Sequence, residues 1–276
     1  MLSLVSDWGF MRYRNVALLL ILISGNVRAK EPITVYLAGD STMAQKLSEK
    51  RPETGWGEAL PKFFKEDKVR VENHAQNGRS TRTFIAEKRW QAIIEKLREG
   101  DYVFIQFGHN DEKENTDQYA SPEDFRRNLM KFIADVREKK AIPVLLTPVM
   151  RRRFDEDGHF FDTHGQYPDV VRSVAADNNV ALLDMHRQSE KLIVRYGVEG
   201  SKKLFLQLAP GENSNYPQGV EDNTHFSPLG ADLIAGLVVE AIREQKLGLA
   251  KYLKKDDASP GTYRRAVSPK EFTGKK

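Results

Sequence analysis

Five short apolar runs punctuate the chain, separated by polar segments that repeat with a helical period. The first is Ile33-Thr34-Val35-Tyr36-Leu37-Ala38, and Val69-Arg70-Val71-Glu72-Asn73, which alternates, is the second. Tyr102-Val103-Phe104-Ile105-Gln106-Phe107, Ile142-Pro143-Val144-Leu145-Leu146-Thr147 and Val180-Ala181-Leu182-Leu183-Asp184 complete the set. Runs this short and this apolar read as strands buried on both faces, the pattern of a parallel sheet covered by helices. Helical spacing covers about 58–64, 88–98, 121–138, 167–178 and 185–195. The third of these has the clearest start, with Ser121 as cap, Pro122 at the first helical position and Glu123 and Asp124 in the first turn. Ser227-Pro228 opens a last helix that runs through Leu233, Leu237 and Ala241 to about Gln245. The alternation predicts an α/β fold: a three-layer α/β/α sandwich on a five-stranded parallel sheet in flavodoxin-like order. With no internal repeat and no linker, one domain is expected over residues 30–253.

A sheet of this kind binds ligands beyond the carboxyl ends of its strands. Three of those ends carry unusual polar residues: Asp40-Ser41, Asn77-Gly78 and Gly108-His109-Asn110-Asp111. In flavodoxin-like order the three strands are neighbours, so the loops converge on one crevice. Ser41 reads either as part of a capping turn or as a nucleophile held at a strand end. A nucleophilic serine needs a base, and the chain has six histidines. His225 stands apart because Asp222 precedes it by three residues in "EDNTHFSPLG". An Asp-x-x-His turn ahead of a helix can hold Nδ1 and leave Nε2 free for Ser41. The alternative is that Asp222 and Ser227 only cap the helix. Donors for an oxyanion are expected from the Ser41 N–H at the start of a helix, the Gly78 N–H and the Asn110 amide. Gly78 and Asn110 also read as ordinary turn residues, and Asp40 is expected to shape its turn by bonding backbone N–H groups.

Composition narrows the function. There is no cysteine among the 276 residues, which removes a disulfide framework, a thiol nucleophile, a thiolate metal site and a lipoprotein anchor. Arg12 and Arg14 precede the apolar run 16–23, and Val27-Arg28-Ala29 follows it, so residues 1–29 read as a secretory signal, with translation starting at Met1 or Met11. The run is too short to span a bilayer comfortably. Residues 254–276 read as a polar, basic, solvated tail. Part of the net charge of +4 lies in Arg151-Arg152-Arg153, directly after the fourth strand. For an exported protein without aromatic-basic interleaving, nucleic acid is not an expected partner and a polyanionic substrate is. No G-x-S-x-G elbow or G-x-G-x-x-G loop is present, which disfavours an α/β-hydrolase and a dinucleotide-binding fold. The acidic, His-containing stretch 155–165 lacks metal-ligand spacing, and neither a metal nor another cofactor is expected.

"GDS" at 39–41, "NGRS" with Gly78, "GHND" at 108–111 and "DNTHFSPLG" at 222–230 are similar, in order, to the four blocks of the SGNH or GDSL-type esterase superfamily. The resemblance spans about 33–246 and implies catalytic roles for Ser41, Gly78, Asn110 and His225. "GDSTMA", "ETGWGEAL", "TPVMRRRF" and "DTHGQYP" resemble the rhamnogalacturonan acetylesterases. That likeness implies removal of acetyl groups from an acidic plant polysaccharide, without a cofactor, and the signal segment implies export to the periplasm or outside the cell. Thr42, where the GDSL pattern has leucine, counts against a lipid substrate. Arg79, Arg82, Arg151, Arg152 and Arg153 are then expected to attract substrate carboxylates, with His109 and His164 as further contacts. The alternatives are the same machinery on another acyl ester, such as acetylated xylan or a thioester, and a non-catalytic carbohydrate-binding domain. The Ser41–Asp222–His225 set weighs against the latter.

Overall fold

A computed structural model describes residues 31–255; the signal segment 1–29 and most of the tail, from residue 256, lie outside the described residues. Strands β1 (Ile33–Gly39), β2 (Val69–Asn73), β3 (Tyr102–Gln106), β4 (Ile142–Leu146) and β5 (Ala181–Leu183) form a parallel sheet in the order β2-β1-β3-β4-β5. That is the flavodoxin-like order expected from the sequence. Alternation sends successive side chains of each strand to opposite faces. Val35, Leu37, Phe104, Val144 and Leu146 enter one apolar core, and Tyr36, Ala38, Val103, Ile105 and Leu145 enter the other.

The helices are α1 (Trp56–Ala59), α2 (Thr81–Ala86), α3 (Arg89–Ile94), α4 (Pro122–Glu138), α5 (Tyr167–Asp177), α6 (Met185–Gly200) and α7 (Pro228–Glu244). Helix α4 buries Phe125, Leu129, Phe132, Ile133 and Val136 in the second core, and α7 buries Ile234, Val238 and Ile242 in the first. Ser121 and Ser227 cap these two helices by accepting from Asp124 N and Gly230 N. Among the described residues no helix is long and apolar enough to cross a membrane.

Four local expectations change. The segment 58–64 is only a single α-turn followed by a 3-10 stretch, Leu60–Phe63, that contains Pro61, a residue with no N–H for a helical bond. The helix expected over 88–98 is shorter, α3 ending at Ile94, and it is preceded by an unexpected helix, α2, set off from it by Lys88 with a left-handed φ of 58°. No helix starts after Ser41; the chain makes a turn closed by Ala44 N donating to Asp40 O at 3.0 Å. Finally, β6 (Phe205–Leu208) and β7 (Val220–Phe226) form an antiparallel hairpin where no strand was expected. Half-buried Val-Glu-Asp-Asn-Thr-His in β7 carries no apolar alternation to betray it.

Helix α7 reaches the hairpin by close backbone approach. A Cβ built at Gly230 falls 1.8 Å from Leu204 O, the carbonyl that also accepts from Ser227 N. Gly230→Ala must push the helix off the base of the hairpin. It is expected to cost about 2–3 kcal/mol in urea unfolding and to lower activity through the displaced β7.

Candidate active site

The turn that carries Ser41 is built by a buried carboxylate. Asp40, fully buried at the end of β1, accepts from Thr42 N at 2.9 Å and Thr42 Oγ1 at 2.8 Å through Oδ1. Burial works to raise its pKa, but the charge and contact of His109 and the two Thr42 donors outweigh it and hold the carboxyl at about 2. Asp40 therefore shapes the turn, as expected, and Ser41 stands next to it at 9% exposure.

His225 comes from the other end of the chain. It lies on β7, not in a turn ahead of a helix. Asp222 Oδ1 accepts from Thr224 N at 2.7 Å and His225 N at 2.9 Å, so the Asp-x-x-His segment folds around its own carboxylate. Its Oδ2 accepts from His225 Nδ1 at 2.6 Å, which leaves Nε2 as acceptor for the Ser41 Oγ–H at 2.8 Å. Burial would raise the Asp222 pKa, but the His225 hydrogen bond and charge, with the His225 and Thr224 amides, bring it to about 2. An ionised Asp222 fixes the ring tautomer and stabilises an imidazolium formed when the serine is deprotonated. Arg152 braces the segment from behind, donating to Asn223 Oδ1 at 2.9 Å through its side chain and to Asn223 O at 2.8 Å through its N–H.

Ser41, Asn77, Gly78, Asn110, Asp222 and His225 line one open cleft of about 380 Å³. Gly78 has a φ of 73°, and a Cβ there would meet nothing within 4 Å. The backbone conformation calls for glycine there; crowding does not. Asn110 gives one amide hydrogen to Arg79 O at 3.0 Å, and its Oδ1 accepts from Lys113 Nζ at 2.8 Å. The second amide hydrogen is available to a ligand. Asp111 ties this loop to α2, accepting from Thr81 N, Thr81 Oγ1 and Gly108 N at 2.9, 2.5 and 3.1 Å. Burial drives its pKa up to about 7 against those bonds.

The expected substrate contacts lie elsewhere. His109 and His164 are buried, at 2% and 1% exposure, below the cleft. His164 Nδ1 faces Glu112 at 2.8 Å and Nε2 faces Val149 O at 2.9 Å. Arg151 is held by Glu112 at 2.5 Å and His109 O at 3.3 Å, and Arg79 pairs with Glu87 at 3.0 Å. Arg152 is consumed by Asn223, Ser201 and Val198 O. Arg82 lines a separate groove with Tyr119 and Asn128, and Arg153 is exposed but does not line the cleft. The cations that do line it are Lys50 and Lys113. Beside the site, the buried pair Lys46 and Glu53 also escaped the sequence reading, since nothing in "MAQKLSEKRPETGWG" marks either as interior. Among the described residues no group of three or more His, Asp or Glu side chains is arranged to hold a metal ion.

His109 gives the site a pH signature. Burial pulls its pKa down from 6.5 to about 4, against the attraction of Asp40, whose Oδ2 lies 3.4 Å from Nδ1. The unfolded chain therefore binds a proton between pH 6.5 and 4 that the folded chain refuses, and stability falls as pH falls through that window. Wild type should lose about 2–3 kcal/mol more than His109→Gln between pH 7 and 4 in urea unfolding.

Comparison with known proteins agrees with this architecture. Residues 37–233 match the GDSL-like lipase/acylhydrolase family. The chain is 45% identical over 225 residues to the rhamnogalacturonan acetylesterase RhgT of Bacillus subtilis, covering 81% of this chain and 95% of that one. It is 35% identical to the probable rhamnogalacturonan acetylesterase YesY of the same organism, over 80% and 98% of the two chains. Among solved structures, Bacillus subtilis YxiM superposes with a TM-score of 0.68 at 26% identity, covering 79% of this chain and 58% of YxiM. An acetylxylan esterase from Geobacillus stearothermophilus, Axe2, shares the fold with a TM-score of 0.55 at 19% identity, over 77% and 94% of the two chains. The chain belongs to the GDSL-like lipase/acylhydrolase family.

Proposed function

We propose that the protein is a serine esterase that removes acetyl groups from rhamnogalacturonan, with Ser41, His225 and Asp222 as its catalytic residues. The observation that carries this reading is the unbroken run of contacts, 2.6 Å and 2.8 Å, from Asp222 through His225 to the Ser41 hydroxyl. The 45% identity to RhgT over most of both chains supports the substrate. His225 Nε2 takes the Ser41 proton as Oγ attacks the acetyl carbonyl. The Ser41 and Gly78 amides and the free Asn110 N–H stabilise the oxyanion. His225 then gives that proton to the departing sugar oxygen, which leaves as a hydroxyl, and water, deprotonated by the same ring, releases acetate from the acetyl-enzyme. An open, polar cleft suits a carbohydrate better than an acyl chain, which needs an apolar wall. Lys50 and Lys113 supply the cationic lining that an acidic polymer would meet.

Residues 1–29 are proposed as a secretory signal that delivers domain 30–253, with its tail 254–276, to the periplasm or the medium. The arginines ahead of the apolar run and Ala29 support this. N-terminal sequencing of exported protein should begin at Lys30.

Ser41→Ala should lower the turnover of p-nitrophenyl acetate by a factor on the order of 10³ or more. Acetate release from acetylated rhamnogalacturonan should exceed that from acetylated xylan, and the reverse order would reassign the substrate. Lys50→Glu should raise KM severalfold on the acidic polymer and leave p-nitrophenyl acetate unchanged.

A further inference from the structure

Behind the cleft wall lies an ion pair that the mechanism above does not use. The Lys46 side chain is wholly buried, an unusual state for lysine. Its Nζ donates to Ser41 O at 2.5 Å and to Asn77 Oδ1 at 2.9 Å, and sits 2.7 Å from Glu53 Oε1. One ammonium thus joins the nucleophile turn to the loop that carries Gly78. Glu53 Oε1 is itself buried and makes no well-angled hydrogen bond, and it lies 4.0 Å from His225 Nε2. That oxygen lies near both the lysine and the nitrogen that takes up the serine proton.

We propose that Lys46 and Glu53 are positioning residues of the esterase site, Lys46 locking the Ser41 carbonyl to the Asn77-Gly78 loop and Glu53 placing a compensating charge opposite His225 Nε2. The inference rests on the reading of Ser41 and His225 as nucleophile and base. A carbonyl pinned by Lys46 fixes the peptide that follows Ser41 and hence the aim of Oγ. The same ammonium holds Asn77, so Gly78 N–H and Ser41 are set by one anchor. A loss of aim of about 1 Å at a reacting atom costs on the order of a hundredfold in rate. Glu53 favours the imidazolium that forms in the transition state, and it keeps the buried lysine compensated. The charged groups around His225 are Asp222 on its own strand, Glu53 from the loop before α1, Lys46 behind Glu53, and Lys50 and Lys113 on the cleft walls.

Removing either partner shifts the balance of charge on the ring in opposite directions, which a purely structural pair would not do. Glu53→Gln deletes the anion and leaves the lysine, so the acidic limb of kcat/KM on p-nitrophenyl acetate should move to lower pH by about 0.5. Lys46→Met deletes the cation and leaves the carboxylate, so that limb should move to higher pH. Its kcat should also fall about tenfold or more with KM within about twofold. Limbs unmoved in both variants, with kcat within about twofold of wild type, would overturn the proposal. If a single variant does not fold because it strands a buried charge, the charge-neutral pair Lys46→Met/Glu53→Gln decides. There the limb should return to the wild-type position while kcat stays low, and wild-type kcat would refute the anchor. Ser41→Ala run alongside keeps the two readings apart, since activity close to wild type in that variant condemns the nucleophile assignment and not the ion pair.

Discussion

The hydrogen bond from Ser41 Oγ to His225 Nε2 joins residues 184 positions apart. Bringing the ends of so long a segment together costs about 4–5 kcal/mol in chain entropy, while one such bond returns about 1 kcal/mol. The bond therefore cannot assemble the site; the fold must deliver both atoms already in place. Packing of α7 against the sheet on one side and the hairpin on the other does so. Each end is then aimed by a carboxylate that folds its own local backbone, Asp40 around Thr42 and Asp222 around Thr224 and His225. The two carboxylates use the same device, an acid accepting from N–H groups two or three residues ahead.

How much of this was readable beforehand follows the physics of each element. The central strands β1, β3 and β4 show in the sequence because burial on both faces demands unbroken apolar runs, while the edge strand β2 shows by alternation. The caps of α4 and α7 show because Ser-Pro and its acids are local signals. Strand β7 was invisible because it is half exposed and polar, and with it went the true setting of His225. The Asp222–His225 pairing was nevertheless legible, since a three-residue separation suffices for the contact in either setting. Lys46 and Glu53 could not be found at all. Their burial is decided by the turn at Ser41 and by α1, and no local pattern of charge encodes it.

The arginines make the opposite lesson. A cluster such as Arg151-Arg152-Arg153 looks like an offer to an anionic ligand, but net charge does not say which cations are already satisfied. A guanidinium carries five donors on a planar fork and matches carboxylates and carbonyls inside its own protein. Two of the three are spent in that way, one on Glu112 and one on the segment that holds Asp222. The cleft is left to two lysines. Beneath it, His109 and Asp40 form a layer of buried polar groups whose ring nitrogens and Oδ2 find no hydrogen-bond partner among the described residues.

The tip of the hairpin also crosses to the opposite rim. Asn215 Nδ2 donates to Ser48 O and Arg51 O at 2.9 Å each, and the Tyr216 hydroxyl donates to Lys50 O at 3.0 Å. This strap bounds the space open to a ligand, and it belongs to the same hairpin that carries His225. Lengthening or shortening the strap to admit a different ligand would therefore pull His225 away from Ser41. Side-chain exchange on a strap of constant length leaves that spacing intact.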